Sequence, residues 1–194
     1  MLSLYAVLLG GRAKGCNIEL HDVVFVVGNS LEELYPHLVN KWFGDGAKKL
    51  HIDSSINLKY VDGHEVIIQE KCKVIEETEP SKKLYFANFG GYKPNYFGEL
   101  HEMNFYVATS RIDALARAKN DLCVGSHQQH SDDHHVVDDL IAIDQVGPYT
   151  IKLQPTTKPC DLSIESFYRK LSLPDILERA ALLKMPSIKK EVSC

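Results

Sequence analysis

A carboxylate and an imidazole stand two residues apart at Glu19 and His21, and again at Glu99 and His101. In an extended backbone, residues i and i+2 point to the same face, so each pair presents both groups together. The carboxylate can orient the ring and raise its basicity, or both groups can serve as metal ligands. If the two pairs face each other, they form a four-ligand cluster that could hold Zn, Mn or Fe. The alternative is structural, with each pair fixing the path of a loop through hydrogen bonds to backbone groups.

A second candidate is the His51-x-Asp53 pair. A histidine with a neighbouring carboxylate can act as a general base and its orienting group. The nearest counterpart in the second half is His130-x-Asp132, although that alignment requires a shift and a gap. A hydrogen bond at the end of a strand is the alternative interpretation. His51 and Asp53 are therefore the candidate catalytic residues.

The run Gly10-Gly11-Arg12 could bind an anion, because backbone N–H groups and a guanidinium both bind oxyanions. The second half has Gly90-Gly91 followed by Tyr92, so the arginine is not duplicated. Neither GxGxxG nor GxxxxGK[ST] occurs in the sequence, which predicts no dinucleotide site and no P-loop.

The stretch from Ser126 to Asp139 is rich in histidine and aspartate, and it includes His127, His130, His134 and His135. A tract of this composition can bind metal. It can equally be a solvated loop that takes up nickel or zinc without any role. The first half of the chain has no such tract, so the stretch is not part of the repeated design.

The paired carboxylates and imidazoles belong to a duplicated unit, in which residues 4–30 align with residues 84–110 without a gap. The identical pairs are Leu4/Leu84, Tyr5/Tyr85, Gly10/Gly90, Gly11/Gly91, Glu19/Glu99, Leu20/Leu100, His21/His101, Phe25/Phe105, Val27/Val107 and Ser30/Ser110. The Glu-Leu-His core is thus among the parts that both copies keep.

Each copy predicts the order strand, strand, helix, strand, strand. In the first copy, the apolar run at 4–9 suits a buried strand, and 22–27 is a second strand rich in valine. Ser30 and Glu33 have the capping-box pattern, which opens a helix. Pro36 lies inside that helix, where it predicts a kink or a tight first turn.

The predicted fold class is α+β, with two tandem ββαββ repeats related by a pseudo-twofold axis. The sheets are expected to pack with the helices in one shared core, because neither copy has many apolar residues beyond its own strands. We predict a single domain over residues 1–154. Its parts are repeat one at 2–75, a charged linker at 76–83 and repeat two at 84–154.

Residues 155–194 have no counterpart in the repeat and are predicted to form a C-terminal extension. A short helix is expected near 174–184, with Pro174 in its first turn. This helix could lie on the domain or on a partner subunit. Because exposed strand edges are often paired between subunits, we predict a homodimer.

The composition is that of a globular protein, with 194 residues and a formal net charge of −4. No basic block is present, which argues against a nucleic-acid partner. The apolar start at 1–9 is short and no basic residue precedes it, so it predicts a first strand rather than a signal peptide or a membrane span. The five cysteines form no CxxC pair. We therefore predict free thiols, a cytoplasmic location and no membrane partner.

Several separated motifs occur in the order typical of one known family. They are Leu8-Leu9-Gly10-Gly11-Arg12, the run from Glu19 to Gly28, His51-Ile52-Asp53-Ser54, Leu84-Tyr85-Phe86, Gly90-Gly91-Tyr92 and Glu99-Leu100-His101. On these motifs the chain, from Leu2 to Gln154, resembles the bacterial family filed as domain of unknown function 1543. The resemblance implies a small cytoplasmic bacterial protein, and it implies no activity, cofactor or catalytic residue.

Three functions remain open on the sequence. The favoured one is a module that binds a small molecule or a divalent metal at the pseudo-twofold, through Glu19, His21, Glu99 and His101. The glycines at 10 and 11 and Arg12 complete its predicted ligand-binding set. The first alternative is a hydrolase-like enzyme that uses the same pairs, with His51 as base and Asp53 as orienter. The second alternative is a structural or interaction protein with no small-molecule site.

Overall fold

The structure is a computed structural model, and it describes residues 1–44, 49–70, 81–124 and 139–183. The chain forms two compact units. One contains residues 1–59 and the C-terminal part from residue 162, and the other contains residues 60–161. The His-rich stretch at 127–135, with its His130-x-Asp132 pair, lies outside the described residues.

The first unit is built on a four-stranded antiparallel sheet. Its strands are β1 (Ser3–Gly11), β2 (Leu20–Gly28), β3 (His51–Asn57) and a C-terminal strand at Ile164–Lys170, which is β11 in chain order. The strand order is β11-β3-β1-β2, so the apolar β1 is central and pairs on both edges. β1 reads as a continuous apolar run because side chains on both of its faces are buried, Ala6 on one and Val7 on the other.

One face of this sheet is covered by helices. A 3-10 turn at Glu32–Leu34 leads into α1 (Tyr35–Lys41), and Pro36 stands in the first turn of α1, where its missing N–H costs nothing. Of the two alternatives predicted at Pro36, a kink or a tight first turn, the structure has the tight first turn. Ser30 accepts a hydrogen bond from the backbone N–H of Glu33 at 3.4 Å, and the Glu33 carboxylate accepts one from the backbone N–H of Asn29. Ser30 thus makes its half of the predicted capping box, whereas Glu33 bonds the backbone N–H of Asn29 rather than that of Ser30.

Alternate side chains of β1 and β2 pack under α1 together with Ile52 of β3, and they form the core of this unit with the helical residues. The core residues are Val7, Leu9, Val24, Val26, Leu31, Leu34, Tyr35, Leu38, Val39, Trp42, Leu50, Ile52, Leu171 and Ile176. Since neighbouring residues on a strand face opposite ways, Gly10 and His51 belong to the other face of the sheet.

The C-terminal segment joins the first unit. β11 pairs antiparallel with β3, and α3 in sequence order (Leu173–Leu182) contacts α1. Ser172 caps this helix by accepting a hydrogen bond from the backbone N–H of Asp175 at 3.3 Å. The helix expected near 174–184 is present. The strand before it differs from the sequence prediction, which placed no strand after Gln154.

The second unit contains two sheets. The first has the order β7-β6-β8, from β6 (Lys83–Gly91), β7 (Leu100–Ala108) and β8 (Asp139–Ala142), and it carries α2 (Arg111–Asp121). Its core comprises Tyr85, Ala87, Phe89, Tyr106, Ala108, Ala114, Ala118, Leu122, Cys123 and Leu140.

The second sheet combines strands from both copies. Its order is β4-β5-β10-β9, from β4 (Tyr60–Val61), β5 (His64–Glu70), β9 (Gln145–Val146) and β10 (Tyr149–Pro155). β5 and β10 pair antiparallel along their full lengths. The last hairpin of the first copy therefore lies in the same unit as the second copy.

The α+β class is confirmed, with mostly antiparallel sheets and short helices in the described residues. The pseudo-twofold, the single shared core and the limits predicted for the domain, repeats, linker and extension stay predictions. No helix in the described residues is long and apolar enough to cross a membrane.

Candidate functional site

Three neighbouring strands bring two histidines to either side of one glycine. Gly10 on β1 lies opposite His21 on β2 and opposite His51 on β3. Residues directly opposite one another in an antiparallel sheet share a face. His21, Gly10 and His51 therefore form one row on the face that α1 leaves uncovered, and the glycine leaves a gap between the two imidazoles.

A β-bulge brings a carboxylate to the same row. The register of β1 against β3 passes from the Leu8/Ser54 pair to the Leu9/Ile52 pair, which leaves Asp53 as the extra residue. Ile52 is buried in the core, so Asp53 lies on the opposite face with His51. Bulges often re-aim a side chain beside a functional site. Glu19 immediately precedes β2, and its side chain reaches the same row.

The four side chains converge within hydrogen-bonding or coordinating range. His21 Nε2 lies 3.5 Å from Glu19 Oε1 and 3.2 Å from Asp53 Oδ2. His51 Nε2 lies 3.3 Å from Glu19 Oε1 and 3.3 Å from Asp53 Oδ1. Two candidate pairs that the sequence keeps apart, Glu19–His21 and His51–Asp53, are thus one cluster, which we call the His/carboxylate cluster.

The position of the ring proton on His51 determines what its other nitrogen, Nε2, can bind. Its Nδ1 lies 3.0 Å from the carbonyl oxygen of Lys49, and a carbonyl can only accept, so Nδ1 carries the proton. In the neutral ring, Nε2 then has a lone pair directed at two carboxylates. The side chain is only 1% exposed, and neither His51 Nε2 nor Asp53 Oδ2 has a partner with hydrogen-bond geometry. A buried acceptor facing acceptors is unfavourable unless the ring takes up a second proton or another cation lies between them.

The spacing of the donor atoms fits a metal ion. Glu19, His21 and Asp53 each offer one ligand atom, and these atoms lie within 4.8 Å of one another. Donors at about 2.0–2.1 Å from a tetrahedral zinc stand roughly 3.3–3.4 Å apart. The four nitrogen-to-oxygen distances in the cluster, 3.2 to 3.5 Å, match that separation.

Gly10 is required by the cluster. A β-carbon at this position would lie 2.7 Å from Asp53 Oδ2 and would also clash with the His51 ring. Gly11 serves the other face, where its β-carbon would lie 2.8 Å from the Trp42 ring. The two glycines thus let two different groups approach the backbone of β1 from opposite sides.

The run predicted to bind an anion, Gly10-Gly11-Arg12, does not present its residues on one surface, because Gly10 and Gly11 face opposite sides of the sheet. The Arg12 guanidinium donates to the carbonyl oxygen of Asn17 at 3.3 Å, within the loop between β1 and β2. Anion binding by this run stays a prediction.

The repeated pair of the second copy lies in the second unit. His101 Nε2 is 3.7 Å from Glu99 Oε2, and His101 stands opposite Gly90, as His21 stands opposite Gly10. The segment before β8, where counterparts of His51 and Asp53 were predicted, lies outside the described residues. The four-ligand cluster of both pairs at a pseudo-twofold stays a prediction.

Comparison with known proteins decides the family. The model of the family described as Domain of Unknown Function (DUF1543) matches residues 16–68 and 97–153, together more than half of the chain. The chain belongs to the DUF1543 family. The resemblance stated from the motifs is therefore confirmed. Both matched segments of this DUF1543 protein contain a Glu-Leu-His motif, and the first also contains His51 and Asp53.

A solved structure is similar to this DUF1543 protein over most of its length. The crystal structure of a protein Il1583 from Idiomarina loihiensis is 31% identical to it, with a TM-score of 0.66. The similarity covers 89% of this chain and 99% of the Idiomarina chain. Among curated proteins, none matches.

One neighbour of the cluster lies outside both segments matched by the DUF1543 model. The ring of Tyr168 on β11 lies 4.3 Å from the His51 ring, centre to centre, tilted by 35°. Its side chain is 70% exposed, so it covers the buried imidazole from the solvent side. Sequence reasoning missed Tyr168, because only the pairing of β11 with β3 brings it there.

Proposed function

We propose that this protein binds one divalent transition-metal ion at the His/carboxylate cluster. Glu19, His21 and Asp53 would be ligands, and His51 Nε2 would be a donor from the buried side. The observation that carries the proposal is the buried Nε2 of His51, which faces two carboxylates at 3.3 Å without a hydrogen-bond partner.

The donor set selects the class of ion. Imidazole nitrogens with carboxylate oxygens suit Zn²⁺, Mn²⁺ and Fe²⁺. The Nδ1–H bond from His51 to Lys49 is the type of outer contact that fixes the tautomer of a ligating histidine. His21 and Glu19 are 48% and 41% exposed, so an ion bound there could also take a water or a ligand from solvent.

The two alternative functions fit this geometry less well. As a general base, His51 would have to reach a substrate, but its ring is buried beneath Tyr168 with both carboxylates at Nε2. A purely structural cluster would be expected to satisfy its buried acceptors with donors from the backbone. The lone pair of His51 has no such donor in the described residues.

The experiment is a calorimetric titration of chelator-treated protein with ZnCl₂ and, separately, with MnCl₂. We expect a saturable site that His21→Ala weakens by 10- to 100-fold or more, since even outer-shell changes have effects of this size. His21 is the right position to change, because its side chain is half exposed and its loss should disturb the fold little.

The matched control removes two histidines elsewhere, in the variant His134→Ala/His135→Ala. Metal taken up adventitiously by the His-rich stretch would be lost in this control and retained in His21→Ala. That pattern, or the absence of any saturable site, would overturn the proposal.

We also propose that the β4–β5 and β9–β10 hairpins are related by a local twofold axis. The support is the pairing of the middle residues of the two long strands, Ile67 of β5 with Lys152 of β10. A twofold axis between two equivalent antiparallel strands requires such a self-equivalent pair. The full pseudo-twofold remains a proposal, and so does the homodimer, which rests only on the pairing expected of exposed strand edges.

A further inference from the structure

We propose that Tyr168 and Lys170 of β11 form a recognition rim for a small oxyanion, a phosphate or a carboxylate, that binds to the metal at the His/carboxylate cluster. This inference rests on the proposed metal site and specifies what its exposed side would bind. Both rim residues belong to the C-terminal segment, which has no counterpart in the duplicated unit.

The sheet register places Lys170 beside the cluster. Lys170 lies directly opposite His51, which lies opposite Gly10, which in turn lies opposite His21. One row across four strands therefore reads lysine, histidine, glycine, histidine, with its side-chain positions on one face. The ammonium of Lys170 belongs to the same face as the imidazoles.

The residue between the two rim positions confirms this orientation. Arg169 points to the helical face, where its Nη1 donates to Glu32 Oε1 and to the Tyr35 hydroxyl, each at 3.0 Å. Alternation along the strand then puts Tyr168 and Lys170 on the cluster face. The ring contact between Tyr168 and His51 is the direct observation of that placement.

The balance of charge at the site favours an anion. A divalent ion and the carboxylates of Glu19 and Asp53 sum to zero formal charge when both imidazoles are neutral. The Lys170 ammonium adds one positive charge at the edge. An oxyanion could then use one oxygen on the metal and another on the ammonium, both favourable charge-assisted contacts.

The exposure of the residues sets the direction of approach. His51 is buried at the base, His21 is half exposed, and Tyr168 and Lys170 are exposed at the rim. A ligand therefore enters from the side of β11, past a phenol that offers a hydroxyl donor and a flat apolar face. A small oxyanion fits a mouth with these groups, whereas a cation would meet Lys170.

The test uses the full chain loaded with Co²⁺, whose visible absorption reports ligand exchange at the ion. Inorganic phosphate is titrated into one sample and acetate into another, so that binding of a phosphate can be distinguished from binding of a carboxylate. We expect the bands to shift with saturation by one or both probes. Lys170→Met should raise the Kd of the bound probe by roughly tenfold or more, as expected for loss of one charge-assisted hydrogen bond.

The controls separate this inference from the metal site itself. Lys41→Met removes a lysine from α1, on the other face of the sheet, and should leave the Kd unchanged. Tyr168→Phe keeps the ring and removes the hydroxyl, and should weaken the probe less than Lys170→Met does. Co²⁺ itself should bind all three variants as it binds the unmodified chain.

The outcomes are distinguishable. If Co²⁺ gives no saturable bands, the proposed metal site fails. If the bands form but neither probe shifts them, or if Lys170→Met binds the probe as tightly as Lys41→Met does, the metal site stands and the oxyanion rim is overturned.

Discussion

The backbone of Gly10 lies directly beneath the imidazole ring of His51, so closely that no β-carbon fits between them. This contact joins the central strand of the sheet to the buried end of the His/carboxylate cluster. Because Gly10 pairs with both flanking histidines, it sets the width of the gap that an ion would occupy.

Gly10→Ala should therefore displace His51 and Asp53 and abolish metal binding. Inserting a methyl group into a packed site typically costs about 1–3 kcal/mol, and each kcal/mol lowers the midpoint of a chain this size by about 2–4 °C. Gly11→Ala is the matched control, since its β-carbon would press on Trp42 on the other face. Both variants should melt earlier, but Gly11→Ala should keep the metal affinity. Equal affinities for metal would contradict the role assigned to Gly10.

Asp53→Asn should separate the stability of the empty cluster from its affinity for metal. An amide nitrogen at this position can donate to the imidazole Nε2 atoms that now face carboxylate oxygens. In chelator, the midpoint of Asp53→Asn is expected to equal or exceed that of the unmodified chain. With zinc at about 100 times its Kd, the unmodified chain should gain roughly 2.7 kcal/mol, on the order of 5–10 °C, and the variant should gain little.

The control for Asp53→Asn is Asp144→Asn, which removes a carboxylate from an exposed pair with Lys83. It should retain the full gain in midpoint with zinc. A large loss of stability for Asp53→Asn in chelator would instead mean that the carboxylate holds the fold together, as a structural cluster requires.

The sequence was sufficient to predict the elements that depend on local pattern. The apolar run of β1, the hydrogen bond by which Ser30 caps the turn after it, and the last helix each follow from a short stretch of residues. The Glu-Leu-His motif was found because duplication preserved it in both copies. These features need no knowledge of which strands pair.

The composition of the site could not be predicted, because it depends on pairings between distant parts of the chain. Glu19 and His51 meet only because β1 pairs with both β2 and β3. The bulge at Asp53 has no sequence signal of its own. β11 was missed because it is an exposed edge strand in which Glu165, Arg169 and Lys170 interrupt any apolar alternation.

Arg169→Met should loosen the attachment of β11. The Arg169 guanidinium bonds Glu32 and Tyr35 and lies 4.7 Å from the centre of the Phe167 ring. Since Arg169 and Glu32 are both partly exposed, we expect a loss of only about 1 kcal/mol. Amide hydrogen exchange across Ile164–Lys170 should accelerate by roughly fivefold.

Lys41→Met is again the control for Arg169→Met, and it should leave exchange in β11 unchanged. Because Tyr168 and Lys170 flank Arg169, the same loosening should weaken any oxyanion held at the rim. Unchanged exchange in Arg169→Met would show that the backbone pairing with β3 alone fixes this strand.

Asp62 in the second unit should make stability depend on pH. Burial raises the pKa of its carboxyl, but the hydrogen bond from Arg117 at 2.6 Å, the one from the backbone N–H of Val107 at 2.8 Å and nearby positive charge outweigh burial. The net pKa is lowered from its ordinary value. The native state therefore favours the charged carboxylate more than the unfolded chain does.

The sign of the effect follows from linkage. A group whose pKa is lowered on folding contributes its full stability above its unfolded pKa, and it loses that contribution as the pH falls through the folded value. Asp62→Asn should destabilise the protein near neutral pH by about 1–3 kcal/mol, and the difference should vanish in acid. Asparagine suits this position, because the backbone φ of Asp62 is 48°, in the left-handed region that asparagine tolerates.

Denaturant midpoints measured across the acid range would check this, with Asp144→Asn as the control. That variant removes a carboxylate from an exposed pair with Lys83, which is worth at most about 1 kcal/mol in solvent. A gap between Asp62→Asn and the unmodified chain that stays constant into acid would show that Asp62 acts through its backbone turn rather than through its charge. A gap that closes as the pH falls, in Asp62→Asn and not in Asp144→Asn, would identify the bonds from Arg117 and Val107 as the cause.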